Sequence, residues 1–303
     1  MDLTTTIAGM TLRTPLIAAS GTFGYGTEYS ELVDPTDLGA IVTKGITLKP
    51  REGNPPPRLS ETPSGMLNSI GLENVGVEAF LRDKLHQLED IPWQVIANVS
   101  GSTVEEYRQV VGRLAGADRV NAIELNVSCP NVQEGGILFG KDPALVYEVV
   151  KAARLETEKV LICKLTPNVS SIVDIAEHAV EAGADCLSLI NTLHGMSVDV
   201  EARRPMLGSV VGGLSGPAIR PVALYYVWQV VCSVGVPIIG IGGILTPRDA
   251  LEFFLAGASA VQIGTGLFVD PAVPHRIIEG LHDYGQRHGF SALQDLMGTL
   301  RVE

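Results

Sequence analysis

The sequence predicts an α/β fold: a single (β/α)8 TIM barrel spanning residues 1–303, with an N-terminal hairpin and long loops at the C-terminal face. Three observations carry this. Eight short β-branched runs recur along the chain, nearly continuous in apolar character, as strands buried on both faces are. Most are followed by a turn signal and an amphipathic helical stretch, and parallel strands joined by right-handed crossovers can close at eight. The competing open, doubly wound sheet would place a G-x-G-x-x-G turn after its first strand, and none stands there.

The elements follow in order. Residues 3–15 read as a hairpin turning at Ala8-Gly9, placed to plug the barrel bottom. The eight runs are residues 16–20, 40–46, 94–100, 122–128, 161–166, 186–191, 237–242 and 260–264. Ser102-Thr103-Val104-Glu105 reads as a capping box, followed by Val104, Tyr107, Val111 and Leu114 on one face. Asp142-Pro143 and Thr246-Pro247 each set a capping side chain before a proline at the first helical position. Ile172, Ile175, Ala176, Ala179 and Val180 form a stripe that stops near Gly183. Two connections, residues 47–74 and 192–216, exceed ordinary loop length and follow strand C-termini, as lids and binding loops do.

Composition narrows the function classes. Hydrophobic residues make up 46% and charged residues 18%, enough for a core and no sign of disorder. A net charge of −12 disfavours nucleic acid and anionic membranes as partners. The start lacks the basic and apolar regions of a signal peptide, and no apolar run reaches membrane-helix length, so a cytoplasmic protein with reduced thiols is expected. The four cysteines, Cys129, Cys163, Cys186 and Cys232, form no C-x-x-C pair, so neither a metal nor an iron–sulfur site is expected on this chain.

The chemistry concentrates at strand ends. Gly242-Gly243 closes the seventh run and Gly264-Thr265-Gly266 the eighth, where barrel enzymes bind phosphate through backbone N–H groups. That pattern does not distinguish a flavin mononucleotide from a sugar phosphate. Lys44, Asn98, Asn126, Lys164 and Asn191 stand at the ends of the second to sixth runs. A lysine in an apolar strand is costly unless paired, and cations with amides suit a flavin and a polar heterocycle. Cys129 lies just past the fourth run between Asn126 and Asn131, where a thiol can act as base. Cys163, Cys186 and Cys232 read as buried filler.

Over essentially its whole length the sequence resembles the dihydroorotate dehydrogenases. The resemblance rests on residues 126–131 (NVSCPN), 68–74 (NSIGLEN), 164–168 (KLTPN) and 213–218 (GLSGPA). It implies FMN-dependent oxidation of dihydroorotate to orotate in de novo pyrimidine (UMP) biosynthesis. Cys129 would take the C5 proton while a hydride passes from C6 to flavin N5. It implies substrate contacts from Lys44, Asn68, Ser69, Ile70, Gly71, Leu72, Asn126, Asn191 and Thr192. FMN contacts would come from Ser20, Lys44, Gly45, Asn98, Asn126, Lys164, Ile190, Gly216, Gly242, Gly243, Gly264 and Thr265.

Subclass is legible too. The membrane-associated class is similar but has a serine base and an N-terminal extension, whereas this chain has Cys129 and begins almost at the barrel. The fumarate-using homodimers, the alternative within the cysteine enzymes, read NSxGLPN, and Glu73 replaces that proline here. Residues 165–168 and 213–228 look more like the NAD-linked class. That class implies a homodimer of this chain within a heterotetramer, whose second subunit carries FAD and a [2Fe–2S] cluster. A tRNA dihydrouridine synthase-like flavoenzyme is a weaker alternative, because no basic run offers an RNA surface.

Overall fold

The computed structural model describes residues 1–128 and 139–302. In chain order its strands are β1 (Thr5–Ile7), β2 (Met10–Leu12), β3 (Leu16–Ala18), β4 (Ala40–Val42), β5 (Leu59–Thr62), β6 (Gly65–Asn68), β7 (Gln94–Val99), β8 (Ala122–Asn126), β9 (Val160–Lys164), β10 (Cys186–Leu189), β11 (Leu193–Gly195), β12 (Val198–Asp199), β13 (Arg204–Pro205), β14 (Gly212–Ser215), β15 (Ile238–Ile241) and β16 (Ala260–Ile263). The parallel strands β3, β4, β7, β8, β9, β10, β15 and β16 form a closed barrel, the last pairing back onto the first through Val261 and Leu16. Closure leaves no free edge for pairing with another chain.

Every predicted run overlaps one barrel strand, which stops short of the run's C-terminal end; β9 also starts one residue before its run, at Val160. The run at 40–46 yields Ala40–Val42 and that at 186–191 yields Cys186–Leu189. Lys44, Gly45, Ile190 and Asn191 therefore stand past the strand ends at the barrel mouth, where Ile190 N still donates to Ile241 O and Asn191 N to Leu165 O.

The helices are α1 (Val77–Ala79), which opens an irregular helical segment running to residue 88, α2 (Val104–Ala115), α3 (Pro143–Arg154), α4 (Ile172–Glu181), α5 (Arg220–Val231), α6 (Pro247–Leu255), α7 (Thr265–Val269) and α8 (Val273–His288). Between β3 and β4, residues 19–39 turn without a helix, so the first unit departs from the repeat. Asp142 caps α3 by accepting from Ala144 N and Leu145 N. Thr246 caps α6 in a full box with Asp249. The predicted box at α2 sits one residue later. Thr103 Oγ1 accepts from Glu106 N, and Glu106 accepts from Ser102 N, because the helix begins at Val104.

The hairpin β1–β2 turns at Ala8 and Gly9, both at positive φ. Its Ile7, Met10 and Leu12 pack with Ile17, Ile96, Ile162 and Ile239 in one buried cluster, closing the lower end of the barrel. A larger cluster fills the shell between strands and helices. Cys163 and Cys186 are buried as expected, but Cys232 is exposed: α5 ends at Val231, so this residue caps the helix beyond its last buried turn. Among the described residues no helix is long and apolar enough to cross a membrane.

The two long connections pair with each other. They build a four-stranded antiparallel sheet in the order β11-β14-β6-β5, with β12 and β13 as a separate small hairpin. Since β11 starts just after the end of β10, this sheet stands at the end of the barrel formed by the strands' C-termini.

Candidate active site

Above the apolar plug the barrel interior turns polar. Asn98, Glu124, Lys164, Ser188 and Gln262 are all buried there. Lys164 Nζ lies 3.5 Å from Glu124 Oε1, which also accepts from Asn98 Nδ2 at 2.7 Å. Glu124 Oε2 accepts from Ser188 Oγ at 2.9 Å and Gln262 Nε2 at 2.7 Å. At the rim, Asn191 Nδ2 donates to Asn126 Oδ1 at 3.2 Å, and the Asn126 carbonyl accepts from Tyr107 Oη at 2.7 Å. Ser20 Oγ donates to Thr43 O, and Ile190 N donates to Ile241 O. The amides and Lys164 thus converge on one end of the barrel, as their strand-end positions predicted.

The segment 68–73 lies against Lys44 and Gly45. A Cβ on Gly45 would meet Leu72 Cδ2 at 3.5 Å and Asn98 Oδ1 at 3.2 Å. Lys44 Nζ is 3.7 Å from Glu73 Oε2, and Arg58 Nη1 donates to the same oxygen at 2.6 Å. The residue that marks subclass in the sequence therefore sits beside the rim lysine. Asn68 Nδ2 donates to Gly213 O, and Asn168 Nδ2 donates to Thr192 O while its Oδ1 accepts from His194 N. Asn168 of the KLTPN motif thereby anchors Thr192 and the start of β11. Ser69 is engaged within the loops: its hydroxyl accepts from Asn54 Nδ2 at 2.8 Å and lies 2.5 Å from Ser209 Oγ. Gly71 backs onto Asn54, and Ile70 O accepts from Asn54 N.

Three glycine turns meet nearby. Gly216 and Gly243 both have positive φ, and a Cβ on Gly243 would come within 2.8 Å of Gly216 O. A Cβ on Gly242 would press on Ala223. Thr265 Oγ1 donates to Ser215 Oγ at 2.7 Å, tying the start of α7 to the same loop. Gly264 differs, because a Cβ there meets only Ala19 and Thr22 at ordinary contact distance. Among the described residues no atom would crowd a Cβ at 264, so space does not demand glycine there, whereas a phosphate approached by backbone would.

Two buried side-chain acceptors have no partner among the described residues: Asn98 Oδ1 and Gln262 Oε1. A native interior seldom leaves such atoms unpaired unless something else binds them. A flavin mononucleotide fits this donor set: it brings a ring N–H for an orphaned acceptor, carbonyls for the lysines and a phosphate for the glycine turns. The residues available to hold it are Ser20, Lys44, Gly45, Asn98, Asn126, Lys164, Ile190, Gly216, Gly242, Gly243, Gly264 and Thr265.

Cys129, with the following residues to 138, lies outside the described residues. Of the other thiols, Cys163 is pushed up to about 12 by burial, with the Glu124 charge adding, and Cys186 is raised by the same causes. Both read as inert, buried thiols. Sequence reasoning missed Glu124, Ser188 and Gln262. The signal was present, since a glutamate inside the run AIELN is as anomalous as Lys164 inside its own run.

A closed parallel barrel whose catalytic end gathers lysines, asparagines and glycine turns defines a barrel enzyme. The family model described as Dihydroorotate dehydrogenase matches residues 2–284, and the chain belongs to this oxidoreductase family. Similar proteins include the "Dihydroorotate dehydrogenase B (NAD(+)), catalytic subunit" of Geotalea uraniireducens (strain Rf4), 52% identical over 299 residues, 99% of this chain and 98% of that protein. The proteins of the same name from Pelobacter propionicus and Geobacter sulfurreducens are 54% and 53% identical. They cover 99% of this chain, and 98% and 99% of their own lengths.

Proposed function

We propose that this chain oxidises dihydroorotate to orotate for pyrimidine (UMP) biosynthesis, with FMN as cofactor and Cys129 as base. The observation that carries the reading is the buried polar layer at the mouth, with two orphaned acceptors beside a lysine and a ring of asparagines. Bound FMN supplies the hydride acceptor. Lys44, Asn68, Asn126, Asn191 and Thr192, with Ser69, Ile70, Gly71 and Leu72, bind the pyrimidine: amides match its alternating donors and acceptors, and the lysine meets its carboxylate. The sheet of β5, β6, β11 and β14 excludes water. Cys129 takes the proton from C5 as hydride leaves C6, so substrate loses one proton and one hydride and becomes orotate.

The names of the relatives support a second step. Electrons leave for NAD through a partner subunit bearing FAD and a [2Fe–2S] cluster, bound to a homodimer of this chain in a heterotetramer. The protein works in the cytoplasm.

Anaerobic mixing of the purified protein with dihydroorotate tests the first step. The yellow absorbance is expected to bleach within the dead time or shortly after. A flavin that binds but is not reduced, or a colourless protein, refutes it. Co-purification tests the second: absence of an iron–sulfur flavoprotein, together with efficient turnover by fumarate, would favour the homodimeric fumarate class.

A further inference from the structure

Glu124 is fully buried, and the four groups that bond or pair with its carboxylate come from four different barrel strands: Asn98 on β7, Lys164 on β9, Ser188 on β10 and Gln262 on β16. Beneath it lies the dry layer of Ile96, Ala122 and Ile162. An ionised carboxylate only accepts hydrogen bonds. Both amides must therefore turn their NH2 groups toward it, which turns Asn98 Oδ1 and Gln262 Oε1 away, and these are the two buried acceptors without partners. Asn98 Oδ1 faces Gly45 at the mouth. The same carboxylate sets a negative charge 3.5 Å from Lys164 Nζ, so the lysine presents an ion pair to the mouth and not a bare cation.

The geometry points to Glu124 as a positioning residue with two effects: it fixes the Asn98 and Gln262 carbonyls as acceptors for the cofactor ring, and it offsets the charge of Lys164, holding the bound flavin at a lower reduction potential than Lys164 alone would set. This rests on the FMN reading above. Reduction adds negative charge to the ring, and a nearby unpaired cation favours that form. A carboxylate opposes it. The effect belongs to charge, whereas the amide orientation belongs to hydrogen bonding, so two substitutions separate them.

The test is potentiometry of the FMN-loaded protein against a reference dye, with FMN titration of the apoprotein alongside. In Glu124→Gln the reduction equilibrium is expected to shift at least tenfold toward the reduced flavin, ~30 mV for a two-electron couple. FMN affinity is expected to fall at least threefold, because the new amide forces a neighbour to turn. Glu124→Asp keeps the charge and is expected to move the potential less than a third as far. A yellow Glu124→Gln protein with unchanged potential, even with weakened affinity, reduces Glu124 to a core clamp and overturns the inference. Should that variant fail to fold, infrared difference spectra of the wild type with labelled glutamate decide. A buried protonated carboxyl in either redox state overturns the inference, and its absence in both supports it. Failure of the FMN reading looks different, since the wild type would then bind no flavin.

Discussion

Gly264 offers the sharpest separation of cofactor binding from folding. The substitution is Gly264→Ala. In the protein alone the new methyl meets Ala19 Cβ at 3.6 Å and Thr22 Cγ2 at 3.7 Å, ordinary contacts that ask nothing to move. The residue precedes α7, where alanine is a poorer cap than glycine, so apoprotein melting reads what the substitution costs the fold separately from what it costs the cofactor. The proposed phosphate occupies the space the methyl enters. Displacing it forfeits a charge-assisted hydrogen bond or two, each about 1.5–3 kcal/mol. FMN affinity should therefore fall at least tenfold, since ~1.4 kcal/mol is a factor of ten. Gly216→Ala is the contrast. Its φ is +95° and its Cβ would lie 2.7 Å from Gly65 Cα, so the fold itself should suffer. Apoprotein melting and fluorescence titration with FMN measure the two quantities. Unchanged FMN affinity in a stable Gly264→Ala protein would refute the placement of the phosphate.

Other outcomes follow from the same geometry. Ile7→Ala opens a cavity in the lower plug and should cost about 2–5 kcal/mol of stability while leaving FMN affinity alone, as denaturant titration with cofactor binding can check. Asn168→Ala frees the Thr192 carbonyl and the start of β11, so KM for dihydroorotate should rise about tenfold (~1.4 kcal/mol) with flavin retained; an unchanged KM would count against the anchoring role. In a Cys129→Ala background, thiol reagents should label Cys232 quickly, and Cys163 and Cys186 only on unfolding. Because burial raises the folded Cys163 to about 12, its contribution to stability is complete below the unfolded thiol range and is lost as pH climbs from there toward 12. Cys163→Ala should flatten the alkaline fall in stability, and an unaltered slope would contradict the assigned burial.

The barrel was readable from sequence because its signals are local. Runs such as residues 94–100 and 186–191 are apolar on both faces, and Asp142-Pro143 and Thr246-Pro247 announce helix starts through side chains two or three residues away. Rim residues were readable for a related reason: Lys44, Asn126 and Asn191 break apolar runs at their ends. What escaped depends on pairing between distant segments. The sheet joining residues 59–68 to 193–215 forms only because the barrel brings two loops together. Glu124 stands out inside an apolar run, but its role escaped because its partners come from four other strands. The exposure of Cys232 was missed because one residue at a helix end decides between core and solvent.

The most direct measurement compares wild type with Cys129→Ala in anaerobic stopped-flow mixing with dihydroorotate, following the flavin absorbance. Both proteins are expected to be yellow, the wild type to bleach rapidly, and the variant to slow by at least about a hundredfold, the usual worth of a positioned base. A variant that bleaches at the wild-type rate would remove Cys129 from the chemistry and with it the mechanism proposed for this barrel.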